Sequence, residues 1–311
     1  MQIFLKSLLL SLTFYVASLF ITTELTLENI KSDVAYVESN DIKVAYREVG
    51  KENIQNGTIV FLHGFSGSSV DWFEIVKVCS KKYHCVSIDI PPFGLSEKSY
   101  NFDYSDINIL KTLLDILNKL NLEKFTLVGH SMGGYLSILI ANEIPERINK
   151  LVLFDAAYNV LNLTDLERIN PLNDGQLFDT KLLSTLLNIG LKIYPLVKLV
   201  YYNALGENAM ISTEHFDKLF SQNFFLPGDV LVKFSIDKVI KPVNLNIDFR
   251  RFNFPVLIIY GENDTVTPPA IGRFLNERIE NSKFVLIPNE GHMPLANKIA
   301  IEVFMNFIEK N

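Results

Sequence analysis

One serine in this sequence lies between two glycines in a pattern that can do chemistry. The segment LVGHSMGG covers residues 127–134, with Gly129 and Gly133 two positions before and after Ser131. This G-x-S-x-G spacing is typical of a sharp turn from a strand into a helix that exposes a nucleophilic hydroxyl at its tip. Larger side chains at the glycine positions would collide with the neighbouring strand and helix. The pattern is short, so the elements around it decide its meaning.

The surrounding chain supplies those elements. Residues 124–128 predict a short buried strand and residues 135–141 a buried helix, which is the context that the turn requires. Residues 34–37 and 42–48 predict a hairpin, because each alternates in character and Asn40 and Asp41 separate them. Further apolar runs predict strands at residues 58–62, 84–89, 151–155, 255–260 and 284–287, and amphipathic stretches predict helices at 70–79, 104–120, 271–279 and 299–308.

Strands that alternate with helices predict a parallel sheet covered on both faces. Residues 157–252 break the alternation and are mostly helical in character, so we expect one α/β domain with a helical insertion. In such a sheet, chemistry is found at the carboxyl ends of the strands. The residues that follow the predicted strands are, in chain order, His63, Asp89, Ser131, Asp155, Asp264 and His292.

Five segments make the chain resemble the α/β-hydrolase superfamily from about residue 33 to residue 310. They are FLHGFSGSSVDW (61–72), DIPPFGLSEKS (89–99), LVGHSMGG (127–134), LIIYGENDTVTP (257–268) and NEGHMP (289–294). The resemblance implies a mostly parallel eight-stranded sheet with helices on both faces. It also implies a core formed by residues 33–156 and 253–311, with a helical cap at 157–252.

The resemblance assigns roles to the matching positions. Ser131 corresponds to the nucleophile, Asp264 to the acid and His292 to the base, and the backbone N–H groups of Phe65 and Met132 correspond to the oxyanion hole. The chemistry agrees, because a histidine can take the serine proton while a carboxylate orients the ring and stabilises its cation. Two preorganised N–H donors would then stabilise the negative oxygen of the intermediate.

Other residues keep competing interpretations. Asp155 is the alternative acid, because some superfamily members place the acid after this earlier strand. His63 is expected to anchor the oxyanion loop and His130 to shape the pocket, whereas Trp72 fits either core packing or substrate contact. His84 and His215 are expected to be surface or packing residues, and Pro92 stands where the superfamily has a glycine.

The amino terminus predicts a targeting segment. Lys6 precedes an uncharged stretch at residues 7–23, and the first acid is Glu24. A basic start followed by an apolar run is typical of a secretory signal, and the run is also near the lower length for spanning a bilayer. We therefore expect residues 1–23 to be a signal peptide or a membrane anchor. The protein would be exported or membrane-anchored rather than cytosolic.

Composition excludes several classes of function. The 311 residues carry a net charge of −6 without a basic cluster, which argues against nucleic acid as the main partner. The two cysteines, Cys79 and Cys85, cannot form a disulfide framework; we favour two small buried residues over a disulfide. No motif with metal-ligand spacing is present in the sequence, and the implied serine chemistry needs no cofactor.

Ester hydrolysis is the leading interpretation. Superfamily dehalogenases and epoxide hydrolases carry an aspartate at the position of Ser131, which disfavours both. Seven apolar cap residues suit an acyl chain: Leu182, Leu183, Leu186, Leu187, Ile189, Leu191 and Ile193. The alternatives are a carbon–carbon bond hydrolase of dienoic ketoacids, for which Arg168, Arg250 and Arg251 could bind the anion, and another triad-dependent acyl transfer. A non-catalytic binding protein on the same fold is the alternative from a different class.

Overall fold

The computed structural model describes residues 33–158, 180–205, 212–237 and 247–310, together with Thr23, Thr26 and Lys31. The expected leader or anchor, residues 1–23, lies outside the described residues except for Thr23. In the described part of the chain, no helix is both long and apolar enough to cross a bilayer.

Eight strands form one sheet in the order β1-β2-β4-β3-β5-β6-β7-β8. The β1–β2 and β2–β4 pairs are antiparallel and all others are parallel. This confirms the prediction of a mostly parallel eight-stranded sheet. The strands are β1 Ala35–Ser39, β2 Ile42–Val49, β3 Thr58–Leu62, β4 His84–Ile88, β5 Phe125–His130, β6 Ile148–Phe154, β7 Val256–Gly261 and β8 Ser282–Ile287.

Helices cover both faces of this sheet. Along β3, Val60 and Leu62 belong to one apolar cluster, and Ile59 and Phe61 belong to the opposite one, as the two-residue period of a strand requires. The first cluster is covered by α2 Asp106–Lys119, α3 Met132–Glu143 and α8 Pro269–Arg278, and the second by α1 Phe73–Cys79 and α9 Lys298–Glu309.

Among the residues that the structure describes between β6 and β7, four further helices occur: α4 Thr180–Gly190, α5 Tyr194–Leu205, α6 Thr213–Phe224 and α7 Gly228–Ser235. Gly190 ends α4, and Pro195 lies in the first turn of α5, where a missing N–H costs nothing. The expected cap boundaries at 157 and 252 stay a prediction, because residues 159–179, 206–211 and 238–246 lie outside the described residues.

The stretch that we expected as one helix over residues 70–79 begins differently. Ser69–Trp72 is a 3₁₀ turn, and α1 follows it. The reason is a local cap: the Ser68 hydroxyl accepts from the Val70 N–H, and the Asp71 carboxylate accepts from the Ser68 N–H. Trp72 is fully buried against Phe61, with ring centroids 5.1 Å apart, which favours the core-packing interpretation.

Cys79 ends α1 and Cys85 lies in β4. Both are buried free thiols, and their sulfur atoms are 2.9 Å apart. The hydrogen bond to Cys79, together with burial, raises the pKa of the Cys85 thiol. The Cys85 thiolate is therefore strongly disfavoured in the folded protein.

Candidate active site

Ser131 occupies a strained turn between β5 and α3. Its backbone angles are φ 52° and ψ −117°, a conformation that non-glycine residues rarely adopt. A Cβ atom on Gly129 would lie 2.3 Å from the Gly133 carbonyl oxygen, and one on Gly133 would lie 2.1 Å from the carbonyl oxygen of Leu62. Both positions must therefore be glycine for strand, turn and helix to pack this closely.

A continuous hydrogen-bond chain joins three predicted site residues. The Ser131 Oγ atom is 2.9 Å from Nε2 of His292, and Nδ1 of His292 is 2.7 Å from Oδ2 of Asp264. All three residues are buried. With the ring proton on Nδ1 and donated to the carboxylate, Nε2 is free to accept the serine proton.

Asp264 is held as a carboxylate by three donors besides His292. Its Oδ1 accepts from the main-chain N–H groups of Val266, at 2.8 Å, and Thr267, at 2.9 Å, and the Thr267 hydroxyl donates to Oδ2 at 2.7 Å. Burial raises the pKa of Asp264, but the hydrogen bonds from His292 and Thr267 outweigh it, and the net shift is downward. The carboxylate therefore stays ionised beside the imidazole.

Thr267 is a site residue that the sequence reasoning missed. Its hydroxyl oxygen lies 2.7 Å from Asp264 Oδ2, 2.9 Å from the Asp155 carbonyl oxygen and 3.0 Å from His292 Nδ1. The available signal was local: an aspartate side chain commonly accepts from backbone groups two and three residues later in a turn. That pattern identifies the turn at 264–267, although it does not reveal the contact with His292.

Asp155, the alternative acid, lies at the end of β6 without a hydrogen bond to His292. It is fully buried, and its Oδ1 accepts from the Gly261 N–H at 2.8 Å. Burial and the neighbouring charge of Asp264 raise the pKa of Asp155 well above its ordinary value, which favours the protonated form of this side chain. The structure therefore places Asp264, and not Asp155, against the histidine ring.

His130 contacts the main chain of the candidate base. Its Nε2–H donates to the His292 carbonyl oxygen at 2.7 Å, and the two ring centroids are 4.9 Å apart. Burial and the proximity of His292 lower the pKa of His130 to about 4, so the ring is neutral at physiological pH. His130 thus does more than shape the pocket, since it holds the backbone of His292 in place.

The loop after β3, residues 63–68, lies directly against Ser131; we call it the β3 loop. A Cβ atom on Gly64 would lie 3.1 Å from the Cβ of Ser131. The Ile90 N–H donates to Nε2 of His63 at 2.8 Å, so Nδ1 carries the ring proton and donates to the Gly64 carbonyl at 2.7 Å. His63 therefore anchors this loop, as expected.

The main-chain N–H groups of Phe65 and Met132, which are the two predicted oxyanion donors, are available to bind a ligand. Phe65 belongs to the β3 loop, and Met132 is the first residue of α3, where the helix dipole favours negative charge. Within the described part of the chain, neither main-chain N–H donates to a protein acceptor. The Phe65 side chain is 53% exposed and packs edge-on against Phe93, with ring centroids 5.1 Å apart.

Helix α6 holds the β3 loop from the other side. The Asn223 side chain donates to the Ser66 carbonyl at 2.9 Å, and His215 Nε2 is 3.2 Å from the buried Asp71 carboxylate. Asp71 in turn accepts from the Ser68 N–H at 3.1 Å. His215 is therefore a packing residue, and its structural role is to hold the Asp71 carboxylate that caps the β3 loop. The residues around His215 in the sequence do not indicate that its partner is Asp71, which lies 144 positions earlier in the chain.

His84 and Asp89 both have structural roles outside the chain of Ser131, His292 and Asp264. His84 is buried, with Nδ1 3.0 Å from the Thr58 hydroxyl and Nε2 3.1 Å from Glu48, so it is a packing residue. Asp89 holds two loops, because its carboxylate accepts from the N–H groups of Ser69, at 2.6 Å, and Leu95, at 2.7 Å. In the segment where Pro92 replaces a glycine, the Pro91–Pro92 peptide is cis.

The apolar residues that we expected to receive an acyl chain mostly lie elsewhere. Leu182, Leu186, Ile189 and Ile193 are exposed at the surface. Leu187 and Leu191 pack against the main apolar cluster instead. Only one face of each helix can point inward, so the seven residues divide between the interior and the surface.

Most of the chain, including the segment around Ser131, matches a known protein family. The family model for the alpha/beta hydrolase fold matches residues 57–298. The chain belongs to the α/β-hydrolase fold family. Among curated proteins it is similar to the uncharacterized hydrolase YugF of Bacillus subtilis, with 28% identity over 249 residues, covering 78% of this chain and 85% of that protein.

Two further relatives bear on the reaction. Lipase 3 of a Moraxella species is 25% identical over 263 residues, covering 83% of this chain and 78% of that protein. The 2-hydroxy-6-oxo-6-(2'-aminophenyl)hexa-2,4-dienoic acid hydrolase of Metapseudomonas resinovorans is 24% identical over 275 residues, covering 84% and 87%. Among solved structures, a bacterial membrane phospholipase A superposes with a TM-score of 0.74 at 19% identity, covering 100% of both chains.

Proposed function

We propose that this hydrolase cleaves carboxylic esters with Ser131 as its nucleophile. The observation that carries the proposal is the unbroken hydrogen-bond chain from the Ser131 hydroxyl through His292 to Asp264. A serine hydroxyl is a weak nucleophile until a base removes its proton, and this chain supplies the base and its orienting acid. The similarity to Lipase 3 supports the same reaction class.

The geometry suits a two-step reaction. His292 Nε2 takes the proton as Ser131 Oγ attacks the ester carbonyl carbon, and the Asp264 carboxylate stabilises the resulting imidazolium. The imidazolium then gives its proton to the alcohol, which leaves as an acyl-enzyme forms. A water molecule, deprotonated by His292, attacks the acyl carbon, and the acid leaves as the proton returns to Ser131.

We assign the oxyanion hole to the N–H groups of Phe65 and Met132. Met132 directly follows Ser131, and Phe65 directly follows Gly64, where an added Cβ would lie 3.1 Å from the Ser131 Cβ. Neither amide donates to another group within the described chain. Preorganised donors of this kind stabilise the negative oxygen of the tetrahedral intermediate without reorganisation. A neutral small-molecule ester is the substrate class that such a site accommodates, and no cofactor takes part in these steps.

A carbon–carbon bond hydrolase is the second candidate, because one relative acts on a dienoic acid. An anionic substrate of this type would need a cation in its pocket. Arg250 is 90% exposed and pairs with Asp248 at 2.7 Å, so it points to solvent; Arg251 is also exposed, and Arg168 lies outside the described residues. The ester reaction therefore fits the described site better.

Hydrolysis of p-nitrophenyl esters from acetate to palmitate tests the proposal. We expect the full-length protein to release p-nitrophenol and the Ser131→Ala variant to lose that activity. The chain length with the highest kcat/KM would separate an esterase from a lipase. A folded protein that leaves every ester intact would overturn the ester assignment and favour the dienoic-acid reaction, an acyl transfer or a non-catalytic role.

We also propose that residues 1–23 direct export or anchor the protein in a membrane, as their basic start and uncharged stretch indicate. Cell fractionation with amino-terminal sequencing tests this. An exported mature form, or a membrane-bound form that keeps residue 1, agrees with the proposal. An intact protein in the cytosol would contradict it.

A further inference from the structure

The two cysteines of the chain lie side by side in the apolar core. Cys79 is the last residue of α1, and Cys85 is the second residue of β4. Both side chains are buried, and both belong to the apolar cluster that α1 and α9 cover. Their sulfur atoms are 2.9 Å apart, which is shorter than the roughly 3.5–4.0 Å between unbonded carbon atoms in contact. The sequence favours two separate buried residues, whereas the fold brings the two sulfur atoms together.

Among the described residues, each of these sulfur atoms is the nearest hydrogen-bond partner of the other. The Cys79 sulfur is 3.8 Å from the Val76 carbonyl oxygen, and the Cys85 sulfur is 3.8 Å from the Tyr83 carbonyl oxygen. A thiol is a weak hydrogen-bond donor, so these longer contacts contribute little. Aliphatic side chains would fill the same space without a polar atom. The pairing of two thiols therefore indicates a role for their chemistry as well as for their packing.

The turn between α1 and β4, residues 80–83, is held by contacts that do not involve sulfur. The Asn53 side chain donates to the Ser80 carbonyl at 2.8 Å. The Asn56 side chain donates to the Lys82 carbonyl at 2.9 Å. These bonds fix the end of α1 relative to the start of β4, so the two sulfur atoms stay close whether or not they are bonded. Because an S–S bond is about 2.05 Å long, its formation requires a movement of less than about 1 Å.

We propose that Cys79 and Cys85 are a redox modification site, at which a disulfide oxidant converts the two thiols into one intramolecular disulfide while the chain folds. One cysteine thiolate attacks a sulfur atom of the oxidant, forms a mixed disulfide and releases one thiol. The second cysteine then attacks the protein sulfur of the mixed disulfide and releases the second thiol. The protein loses two electrons and two protons, and the oxidant gains them as two thiols.

Burial determines when this exchange takes place. The hydrogen bond to Cys79 and burial raise the pKa of the Cys85 thiol, and neither sulfur is exposed. The finished core therefore excludes both the reactive thiolate and the oxidant. The bond forms before the core closes and is protected from reductants afterwards. An exported chain, as we propose for this protein, folds in a compartment that supplies disulfide oxidants.

The cysteine pair is remote from the candidate active site. Cys85 is paired with Ile59 near the amino end of β3, whereas Ser131 follows the carboxyl end of β5. We therefore expect the disulfide to stabilise the fold without changing ester hydrolysis, and the inference does not rest on the proposed function. Cross-linking mainly restricts the unfolded chain, and this short ring is expected to raise Tm by about 3–5 °C.

Cell-free synthesis of the full-length protein with either reduced or oxidised glutathione tests the site. The product is alkylated with N-ethylmaleimide in denaturant, and its mass is measured by mass spectrometry. We expect an adduct on each cysteine after synthesis with reduced glutathione. After synthesis with oxidised glutathione we expect no adduct and a mass about 2 Da below that of the dithiol chain. Trypsin cleaves after Lys81 and Lys82, so the disulfide joins two peptides that separate on reduction.

The Cys79→Ala/Cys85→Ala variant is the matched control for stability. In thermal unfolding followed by circular dichroism, wild type should have a higher Tm after oxidised than after reduced synthesis, and the variant should have the same Tm after both. Adducts on both cysteines after oxidised synthesis, a disulfide between two chains, or the same shift of Tm in the variant would overturn the inference. Hydrolysis of p-nitrophenyl esters by the two wild-type samples is measured in parallel, and its absence from both would reject only the proposed function.

Discussion

At the scale of single residues, the two buried aspartates of the site have pKa values that are shifted in opposite directions. Hydrogen bonds from His292 and Thr267 lower the pKa of Asp264, whereas Asp155 has the Gly261 N–H as its donor and burial raises its pKa, which favours the neutral form. Only an ionised carboxylate can stabilise an imidazolium cation. The two positions therefore make a matched pair for mutagenesis.

We predict that Asp264→Asn lowers kcat for a p-nitrophenyl ester by about 10³–10⁴-fold, because the amide cannot balance the charge on His292 or enforce its tautomer. Asp155→Asn should lower it by less than about tenfold, since the raised pKa of Asp155 favours a neutral side chain, which the amide resembles. Steady-state kinetics of both variants tests this. A larger loss for Asp155→Asn would assign the acid role to Asp155.

His130 gives a prediction for stability against pH. Burial lowers its pKa from 6.5 to about 4 in the fold, so the unfolded chain binds the extra proton between those values. The stability that depends on neutral His130 is fully present above pH 6.5 and is lost as pH falls toward 4. His130→Gln keeps an N–H donor and removes this titration.

Urea unfolding of both proteins across this window measures the effect. We expect the difference in free energy of unfolding between wild type and His130→Gln to change by about 3 kcal/mol, with wild type losing more as pH falls. The comparison with wild type cancels the contribution of Asp155, which has the opposite sign. Parallel pH dependences in the two proteins would show that His130 is not held neutral.

At the scale of elements, the turn at Ser131 depends on glycines that allow close backbone approach. We predict that Gly133→Ala lowers the free energy of unfolding by about 2–4 kcal/mol, because its Cβ would overlap the Leu62 carbonyl. Gly190→Ala is the control, since no atom lies within 4 Å of an added Cβ at the end of α4. That change should be neutral or slightly stabilising. Equal losses in thermal unfolding would argue against the packing explanation.

The contact of α6 with the β3 loop gives a second prediction at this scale. Asn223→Ala removes the donor to the Ser66 carbonyl, next to the proposed oxyanion donor Phe65. We expect kcat to fall about tenfold with KM nearly unchanged, because the loop would lose its alignment with the developing oxyanion. Gln222→Ala is the control, because the Gln222 amide has no hydrogen-bond partner within the described residues. A rise in KM alone would indicate a substrate contact instead.

The elements divide into those that sequence could predict and those that it could not. Mostly apolar runs identify β3 and β7, because parallel strands in the middle of the sheet are buried on both faces. The 3₁₀ turn at Ser69–Trp72 was missed because Asp71 caps it locally. The outward direction of Leu186 and Ile189 depends on how α4 packs against α7, a tertiary contact that a uniformly apolar segment does not reveal.

At the scale of the whole molecule, the sheet brings together residues that are far apart in the chain. Ser131 and His292 are 161 positions apart, and Asp264 lies 28 positions before the histidine. The strand-end rule predicted their meeting, because the carboxyl ends of parallel strands lie at one edge. The rule could not predict that His130, Thr267 and Asn223 hold the site together. Each of these side chains contacts a different secondary-structure element or loop, and such contacts depend on the tertiary structure.

The most direct test of the central claim is covalent labelling by a fluorophosphonate, which reacts with a serine that a base has activated. We predict one adduct per chain in the full-length protein, on the peptide that contains Ser131, and no adduct in Ser131→Ala. His292→Ala should react far more slowly. Labelling at another residue, or equal labelling of wild type and Ser131→Ala, would contradict the account.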